Sequence, residues 1–277
     1  MCLPRESGGP FLFLKTGVPA FAGTTTRGSL QSQFMGIEAA ALAGLAFLGA
    51  LIFGITGFGA ALVTIPLAIH LVPLKFALPL FALVDISYAY TVGLEQPKNA
   101  VKAEWWRLVP MILLGTVLGV TLLVNLPRDA GMGLLGIFIL TYVAYTVFSP
   151  KSPRVIHPRW AIVAGLVGGI TSAAFGAGGP PYAIYLASRG LSKEQFRATM
   201  GFATMTSISL RVVAFLVTGL LLDPGVWLAA AFAVPAALLG LWVARRIFNR
   251  ISRDALMRAV TAMLFLSGCS LVLRALN

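Results

Sequence analysis

Charged residues are scarce in this chain, and their scarcity excludes an ordinary soluble domain. Of its 277 residues, 11% are charged and 58% are hydrophobic. A soluble domain is typically about half apolar and about a quarter charged. Because so few polar side chains cannot cover a water-facing surface, we expect lipid to surround most of the chain.

Cysteine and histidine are also few. Cys2 and Cys269 lie at opposite ends of the sequence, and His70 and His157 lie far apart. This spacing indicates neither a disulfide framework nor a metal site, and we expect no metal and no cofactor. The chain contains no P-loop, which argues against direct use of ATP. It contains no HExxH motif or comparable nucleophile–base arrangement, so an enzyme is not expected.

The net charge of +12 does not indicate a nucleic-acid partner. The basic residues form no single basic face. They lie in short connections between apolar runs, such as the one that carries Arg245, Arg246, Arg250 and Arg253. The positive-inside rule of membrane proteins produces this distribution.

Apolar runs are abundant between Met35 and Asn277. A membrane-spanning helix needs about 20 mostly apolar residues, so we expect an all-α polytopic membrane protein. The runs are 36–72, 74–94, 106–126, 129–148, 160–188, 196–221, 225–244 and 255–275. Residues 1–34 differ in composition, and we expect a poorly ordered tail or a stretch upstream of a true start at Met35. We assign them no function.

Two of these runs are too long for one crossing. As a single helix, residues 36–72 would reach roughly 55 Å, whereas the hydrocarbon core is about 30 Å thick. Both overlong runs contain a glycine cluster, so we expect each to be a broken helix or a helical hairpin.

An internal repeat relates the two glycine clusters. With a shift of 115 residues, GITGFGAALVTIPLAIHL (54–71) aligns without gaps on GITSAAFGAGGPPYAIYL (169–186). RDAGM (128–132) recurs as RDALM (253–257). We therefore expect two homologous transmembrane repeats, residues 35–150 and 151–277. Shared apolar bias is the alternative explanation.

The positive charges favour inverted halves. If each overlong run crosses once, the chain crosses eight times, the halves are parallel, and the charges fix no orientation. If each run folds back, Lys75, Arg128 and Arg274 lie outside, a strong positive-inside signal. With the tail and Arg211 set aside, the other basic residues then lie inside: Lys98, Lys102, Arg107, Lys151, Arg154, Arg159, Arg189, Lys193, Arg197, Arg245, Arg246, Arg250, Arg253 and Arg258. We expect the second arrangement, an inverted repeat with both termini outside the cytoplasm.

The glycine clusters predict the lining of a cavity. Unwound backbone survives at membrane depth only inside protein or along a watery cavity, and a helix N-terminus there favours an anion. The alternative is that the glycines only permit close helix packing. The expected substrate-binding residues are Thr56, Gly57, Gly59, Pro66, Thr171, Gly176, Gly178, Gly179 and Pro181.

Two charges lie deep inside apolar spans, far from the ends of the runs: Arg211 and Asp85. Charges at membrane depth are rare and usually face a pathway or a partner. One interpretation is a structural Asp85–Arg211 pair. The other is that Arg211 binds the substrate, while Asp85 carries a coupling proton or holds Arg211 in place.

The segments GITGFGAALVTIP and GGITSAAFGAGGPP, one in each half, resemble the TauE/SafE family of sulfite-exporter-like membrane transporters. The resemblance covers residues 35–277. It implies a multi-pass protein of the bacterial inner membrane that exports small anions such as sulfite or organosulfonates. The residues on the family motif are Gly57, Gly59, Pro66, Gly176, Gly178, Gly179 and Pro181.

Two functions remain open at this point. The first is a proton-coupled secondary transporter with a small anion and the lipid bilayer as its partners, and the family resemblance implies that it works in the export direction. The second is a passive channel for small anions, whose flux would not depend on protons. The sequence does not fix the oligomeric state.

Overall fold

The computed structural model describes residues 27–57, 59–148, 155–247 and 253–276. The chain divides into two compact units, Met1–Gly36 and Ile37–Asn277. Helix α1 begins at Arg27, inside the segment expected to be a tail, whereas residues 1–26 lie outside the described residues. All the contacts given below lie within the second unit.

The described residues form α-helices joined by short connections, with no strand among them. The helices are α1 Arg27–Thr56, α2 Ala60–Ala68, α3 Leu74–Gly93, α4 Lys102–Asn125, α5 Arg128–Phe148, α6 Trp160–Phe175, α7 Gly179–Ala187, α8 Lys193–Val217, α9 Pro224–Ile247 and α10 Arg253–Leu276. A short 3₁₀ helix, Pro97–Asn99, precedes α4. The predicted all-α fold is confirmed.

Six helices are long and apolar enough to cross a membrane, counted over the described residues. They are Glu38–Ile55, Leu74–Gly93, Lys102–Asn125, Ala130–Phe148, Lys193–Val217 and Pro224–Ile247. Large apolar side chains face outward along them, such as Leu113 and Val117 of α4 and Phe232 of α9. An outward apolar surface of this kind suits lipid as the solvent, so this is a multi-pass membrane protein.

Helices α1 and α2 form a helical hairpin, called hairpin 1. The chain turns at Gly57 and Gly59, whose φ angles of 82° and 88° suit glycine. The two arms then run back along each other. A Cβ added at Gly49 of α1 would lie 2.5 Å from the Thr64 side chain of α2. The first overlong run is therefore folded back, as predicted.

Helices α6 and α7 form the matching hairpin 2. It turns at Gly176, whose φ is 73°, and a Cβ added at Gly168 of α6 would lie 2.1 Å from the Tyr182 ring of α7. Its two open ends meet, because the Ile156 N–H donates to the Ser188 carbonyl over 3.0 Å. Hairpin 2 thus ends on the side from which it starts.

The helix boundaries at the two hairpins recur with a shift of 119 residues, whereas the gap-free alignment of the sequence used a shift of 115. Gly176 lies 119 residues after Gly57, and α8 begins 119 residues after α3. Helices α5 and α10 both begin at the Arg of their RDxxM sequences. Under a shift of 119 residues, the positive-φ glycines Gly57 and Gly176 coincide, about one helical turn away from the gap-free alignment.

Helix packing repeats between the halves through close glycine contacts. In α4, Gly115 lies against the Leu166 carbonyl of α6, where a Cβ would stand 2.3 Å from the oxygen. In α9, Gly240 lies equally close to the Phe47 carbonyl of α1. Each hairpin therefore packs on a helix of the other half, and small residues allow the backbones to approach.

One end of the bundle collects basic side chains, and we call it the cationic end. Glu95, just after α3, bonds Arg197 of α8 over 3.1 Å and Arg245 of α9 over 2.7 Å. Glu104, in the first turn of α4, bonds Arg107 over 2.7 Å and Arg189 over 3.1 Å. The start of α3, the end of α4 and the start of α9 lie at the opposite end.

Candidate functional site

The turns of both hairpins meet at one buried cavity, called the central cavity, of about 40 Å³. A buried water needs about 10–15 Å³ by the same measure, so this space suits a solute of a few heavy atoms. Its lining comes from hairpin 1, hairpin 2, α3 and α8. The lining residues are Phe53, Gly59, Ala60, Ala61, Asp85, Tyr88, Ser172, Gly176, Gly178, Gly179, Tyr182, Thr204, Ser207 and Ile208.

Two helix N-termini point at this cavity, and they differ in the donors that they offer. The first turn of α2 carries backbone N–H groups at Ala60 and Ala61, both on the cavity wall. The first turn of α7 is Gly179, Pro180 and Pro181. Proline has no N–H, so α7 offers fewer donors. The positive end of α2 is the better anion site by number of free donors.

A buried ion pair lies beside the cavity. Asp85 of α3 is 4% exposed and Arg211 of α8 is 1% exposed, with Nη2 of the guanidinium 2.5 Å from Oδ2 of the carboxylate. Nη1 of Arg211 donates to the Ser172 carbonyl at the turn of hairpin 2 over 3.1 Å. Nε of Arg211 has no hydrogen-bond partner among the described residues.

Asp85 reaches the cavity, whereas Arg211 lies directly behind it. Asp85 is part of the cavity wall and also accepts a hydrogen bond from Tyr88, one turn further along α3. Arg211 is absent from the wall, but its Nη1 would be 3.2 Å from a Cβ added at Gly176. A small movement of the Arg211 side chain would therefore expose its guanidinium to a solute in the cavity.

A chain of hydroxyl groups crosses another side of the cavity. Ser207 of α8 donates to the Ser172 hydroxyl of α6 over 2.9 Å and lies 3.1 Å from the Tyr182 hydroxyl of α7. Thr204 lines the same wall, one turn from Ser207. These hydroxyls hold hairpin 2 on α8, and their protons can rotate toward an anion.

The structure brings together about half of the predicted site residues. Gly59, Gly176, Gly178, Gly179 and Asp85 line the central cavity, with Arg211 next to Asp85. Thr56 is the last residue of α1, and its side chain lies outside the described residues.

The other predicted residues lie away from the central cavity. Gly57 lines a separate, larger cavity. Pro66 lies inside α2, where its carbonyl accepts a hydrogen bond from the His70 ring over 2.8 Å. Thr171 donates to the Ala177 carbonyl over 3.1 Å and braces the hairpin turn. Pro181 lies in the first turn of α7 outside the cavity wall.

Sequence reasoning missed two features. Tyr88 was not singled out, although it lies three residues after Asp85 and so shares its helix face. Glu104 was taken to lie outside the spans, but it is 5% exposed beneath Tyr185 and Arg189 at the open end of hairpin 2. Only the fold-back of hairpin 2 covers this carboxylate, and no local pattern predicts that contact.

A family model described as Sulfite exporter TauE/SafE matches residues 42–271. The chain belongs to the TauE/SafE family. The match covers both hairpins and all the helices that line the central cavity. No curated protein and no solved structure matches the chain.

Membership fixes the general class of activity. TauE/SafE proteins are transporters of sulfite-like anions, not enzymes. The fold agrees with this class, because a multi-pass helical bundle with backbone breaks at a buried polar cavity is a design that transporters use.

Proposed function

We propose that this TauE/SafE protein is a proton-coupled secondary transporter that exports a small anion, such as sulfite or an organosulfonate, across the bacterial inner membrane. The observation that carries the proposal is the convergence of both hairpin turns and the Asp85–Arg211 pair on one small cavity. The binding roles of the individual residues are part of the proposal.

Anion binding follows from the donors around the cavity. The α2 N-terminus contributes N–H groups and positive dipole, and the hydroxyls of Ser172 and Ser207 face the same space. Arg211 supplies the full positive charge, and its Nε has no hydrogen-bond partner among the described residues, so the guanidinium has a donor left for an anion. The small volume favours sulfite or a short sulfonate over larger organic anions.

Proton coupling follows from the carboxylate in the same wall. An anion cannot enter beside an ionised Asp85 without strong repulsion, because charges at such short range interact strongly away from water. A proton on Asp85 removes this repulsion and loosens its hold on Arg211, which then binds the anion. The anion and one proton therefore bind together, and the empty carrier keeps the Asp85–Arg211 pair.

Co-binding sets the direction of net flux. An anion that moves with a proton leaves the cell when the product of the two concentrations is greater inside than outside. Export then proceeds down the gradient of an anion that accumulates in the cytoplasm, and an acidic exterior slows it. A passive channel, the other candidate, would lack this dependence on external protons.

Inverted repeats fit this mechanism, and two sets of contacts support them. The turn of hairpin 1 lies near Lys193 and Arg197 at the cationic end, whereas the turn of hairpin 2 lies near Pro73 and Lys75 at the opposite end. The hairpins thus enter from opposite sides. By the positive-inside rule, the cationic end faces the cytoplasm.

The test is uptake of radiolabelled sulfite into proteoliposomes that contain the purified protein. Wild-type protein should accumulate label above empty liposomes, and Arg211→Ala should abolish the uptake. Since Arg211→Ala leaves a buried carboxylate unpaired, the double variant Asp85→Asn/Arg211→Gln serves as a second, uncharged test that should also be inactive. Transport by either variant at the wild-type rate would refute the role of Arg211.

A further inference from the structure

The ionisable groups around the central cavity are few, and they limit the charge that a bound solute can carry. Asp85 is the one charged side chain in the lining among the described residues, and Arg211 lies directly behind this carboxylate. The other titratable groups on the wall are the phenols of Tyr88 and Tyr182, which are neutral near pH 7. Arg211 is therefore the only full positive charge that the described residues place at the cavity.

The hairpin turns add less than a second positive charge. A helix N-terminus carries roughly +0.5 elementary charge, which resides on its unpaired N–H groups. The first turn of α2 offers these groups at Ala60 and Ala61, whereas Pro180 and Pro181 remove two of them from α7. Together with Arg211, the two turns do not reach two full positive charges, and an ionised Asp85 lowers the total further.

Burial in this cavity disfavours a dianion more strongly than a monoanion. The Born cost of removing an ion from water grows with the square of its charge, so it is about four times larger for a dianion of the same size. The attraction of the dianion to Arg211 only about doubles. Because the cavity holds only about 40 Å³, little water can enter with the solute to reduce this difference.

Part of the cavity wall also suits a group that carries no charge. Phe53 and Ile208 contribute apolar side chains, whereas Ser172 and Ser207 contribute hydroxyl groups. An anion can direct its charged oxygens toward these hydroxyls and Arg211, and can direct one uncharged substituent toward Phe53 and Ile208. A dianion such as sulfate has no uncharged substituent for the apolar part of the wall.

We propose that the central cavity binds monovalent oxyanions and excludes dianions of the same size. For sulfite, the bound form is hydrogensulfite and not the sulfite dianion. For sulfonates, the bound molecules have one acidic group on a short, uncharged substituent. The inference rests on the proposed function, because it names the charge of the anion that binds beside protonated Asp85.

The experiment compares two probes of similar shape on the purified full-length protein in nanodiscs. Methanesulfonate stays a monoanion from mildly acidic to mildly alkaline pH, whereas methylphosphonate changes from a monoanion to a dianion in this range. Each compound displaces radiolabelled methanesulfonate at a series of pH values. Protonation of the protein affects the binding of both monoanions alike, so the ratio of their half-displacing concentrations reports the charge of the ligand.

The half-displacing concentration of methylphosphonate, divided by that of methanesulfonate, should rise about tenfold per pH unit above the second titration of methylphosphonate. Sulfate, a dianion throughout this range, should displace the label only at far higher concentration than methanesulfonate. A ratio that stays constant with pH would overturn the proposal, as would displacement by sulfate at the concentration that suffices for methanesulfonate.

Two variants test whether the label binds in the central cavity. Asp85→Asn/Arg211→Gln removes both charges and should abolish the displaceable binding. Lys75→Gln is the matched control, since it removes a positive charge at the opposite end of the bundle, where the Lys75 ammonium donates to the Val124 carbonyl over 3.0 Å. This control should keep the wild-type affinity. Full binding by the double variant would place methanesulfonate elsewhere and overturn the proposal.

Asp85→Asn alone separates two causes of the charge selection. Arg211 remains the one cation at the cavity in this variant, so the ratio should still rise with pH as in the wild type. A ratio that becomes constant in Asp85→Asn would mean that repulsion by the carboxylate excludes dianions, and would overturn the argument from a single cation.

The outcomes also separate this inference from the proposed function. Equal binding of monoanions and dianions would refute charge selection and leave proton-coupled export of small anions intact. Selective binding by a protein that moves no anion in proteoliposomes would refute transport and leave the inference intact. The absence of any methanesulfonate binding would refute both.

Discussion

The Asp85–Arg211 pair dominates the central cavity at the scale of single residues. Both side chains are buried, and removing one partner of such a pair typically costs about 3–5 kcal/mol because the other charge remains uncompensated. The contact that one of the two interpretations from the sequence expected is present, and the role of the pair in transport stays a prediction. The same contact holds the Arg211 guanidinium beside the cavity when no anion is bound.

The hydroxyl of Ser207 provides a test of anion binding that leaves this ion pair intact. Ser207→Ala removes the central member of the hydroxyl chain, and one hydrogen bond contributes about 0.5–1.5 kcal/mol. The apparent KM for sulfite uptake should rise by about two- to tenfold, and thermal stability should fall modestly because Ser172 and Tyr182 lose their shared partner.

Ser209→Ala is the matched control for this change, since Ser209 lies on the same helix and bonds Tyr90 away from the central cavity. Its KM should stay at the wild-type value. An equal rise in both variants would mean that Ser207 acts through packing alone.

Individual residues were predictable to different degrees. Asp85 and Arg211 stand out in the sequence because a charge in an apolar run needs a partner or a pathway. Pro66 was placed in the site by the family motif and Thr171 by its hydroxyl group, but the structure engages the Pro66 carbonyl with His70 and the Thr171 hydroxyl with the hairpin turn. Whether any of these residues binds substrate stays a prediction.

The hairpin turn is the critical feature at the scale of elements. The overlong apolar runs and their glycines predict that helices break there, because a single helix would overshoot the bilayer. The contact of Glu104 with hairpin 2 was not predictable, since it joins residues far apart in sequence. The helix boundaries at the hairpins recur with a shift of 119 residues and not 115, a difference that matching apolar letters alone could not reveal.

Gly176→Ala tests the turn of hairpin 2. Gly176 has a φ of 73°, a conformation that costs an L-residue roughly 1–2 kcal/mol. The added Cβ would also lie 3.1 Å from Ala61 and 3.2 Å from Arg211 Nη1. We expect lower thermal stability and a large loss of sulfite uptake, measured in detergent and in proteoliposomes respectively.

Gly190→Ala separates backbone strain from the effect on the cavity. Gly190 has a φ of 68°, and a Cβ there meets nothing nearer than Val155 at 4.0 Å. This variant should lose comparable stability and keep its uptake per folded molecule. Normal uptake by Gly176→Ala would show that the close approach at this turn is dispensable.

The arrangement of two similar halves around the cavity is the proposal at the scale of the whole molecule. The inverted arrangement that we propose accounts for two observations. Positive charge collects at one end of the bundle, and the two hairpins turn near opposite ends. The charge distribution in the sequence favoured this arrangement, but only the contacts of the hairpin turns supply independent support.

Cysteine labelling in intact cells tests this topology. In a background without Cys2 and Cys269, Leu71→Cys follows hairpin 1 and Gly190→Cys follows hairpin 2, and both positions are exposed. A membrane-impermeant maleimide should label Leu71→Cys from outside and reach Gly190→Cys only after the cells are opened. Labelling of both cysteines from the same side would contradict the inverted repeat.

The most direct test of the central claim is the movement of protons with a permanently ionised substrate. Methanesulfonate does not titrate near neutral pH, so any proton that accompanies it is carried by the protein. In proteoliposomes with a trapped pH dye, an inward methanesulfonate gradient should acidify the interior by one proton per anion, and Asp85→Asn should abolish the coupled acidification. Methanesulfonate flux through the wild-type protein without any pH change would contradict the account.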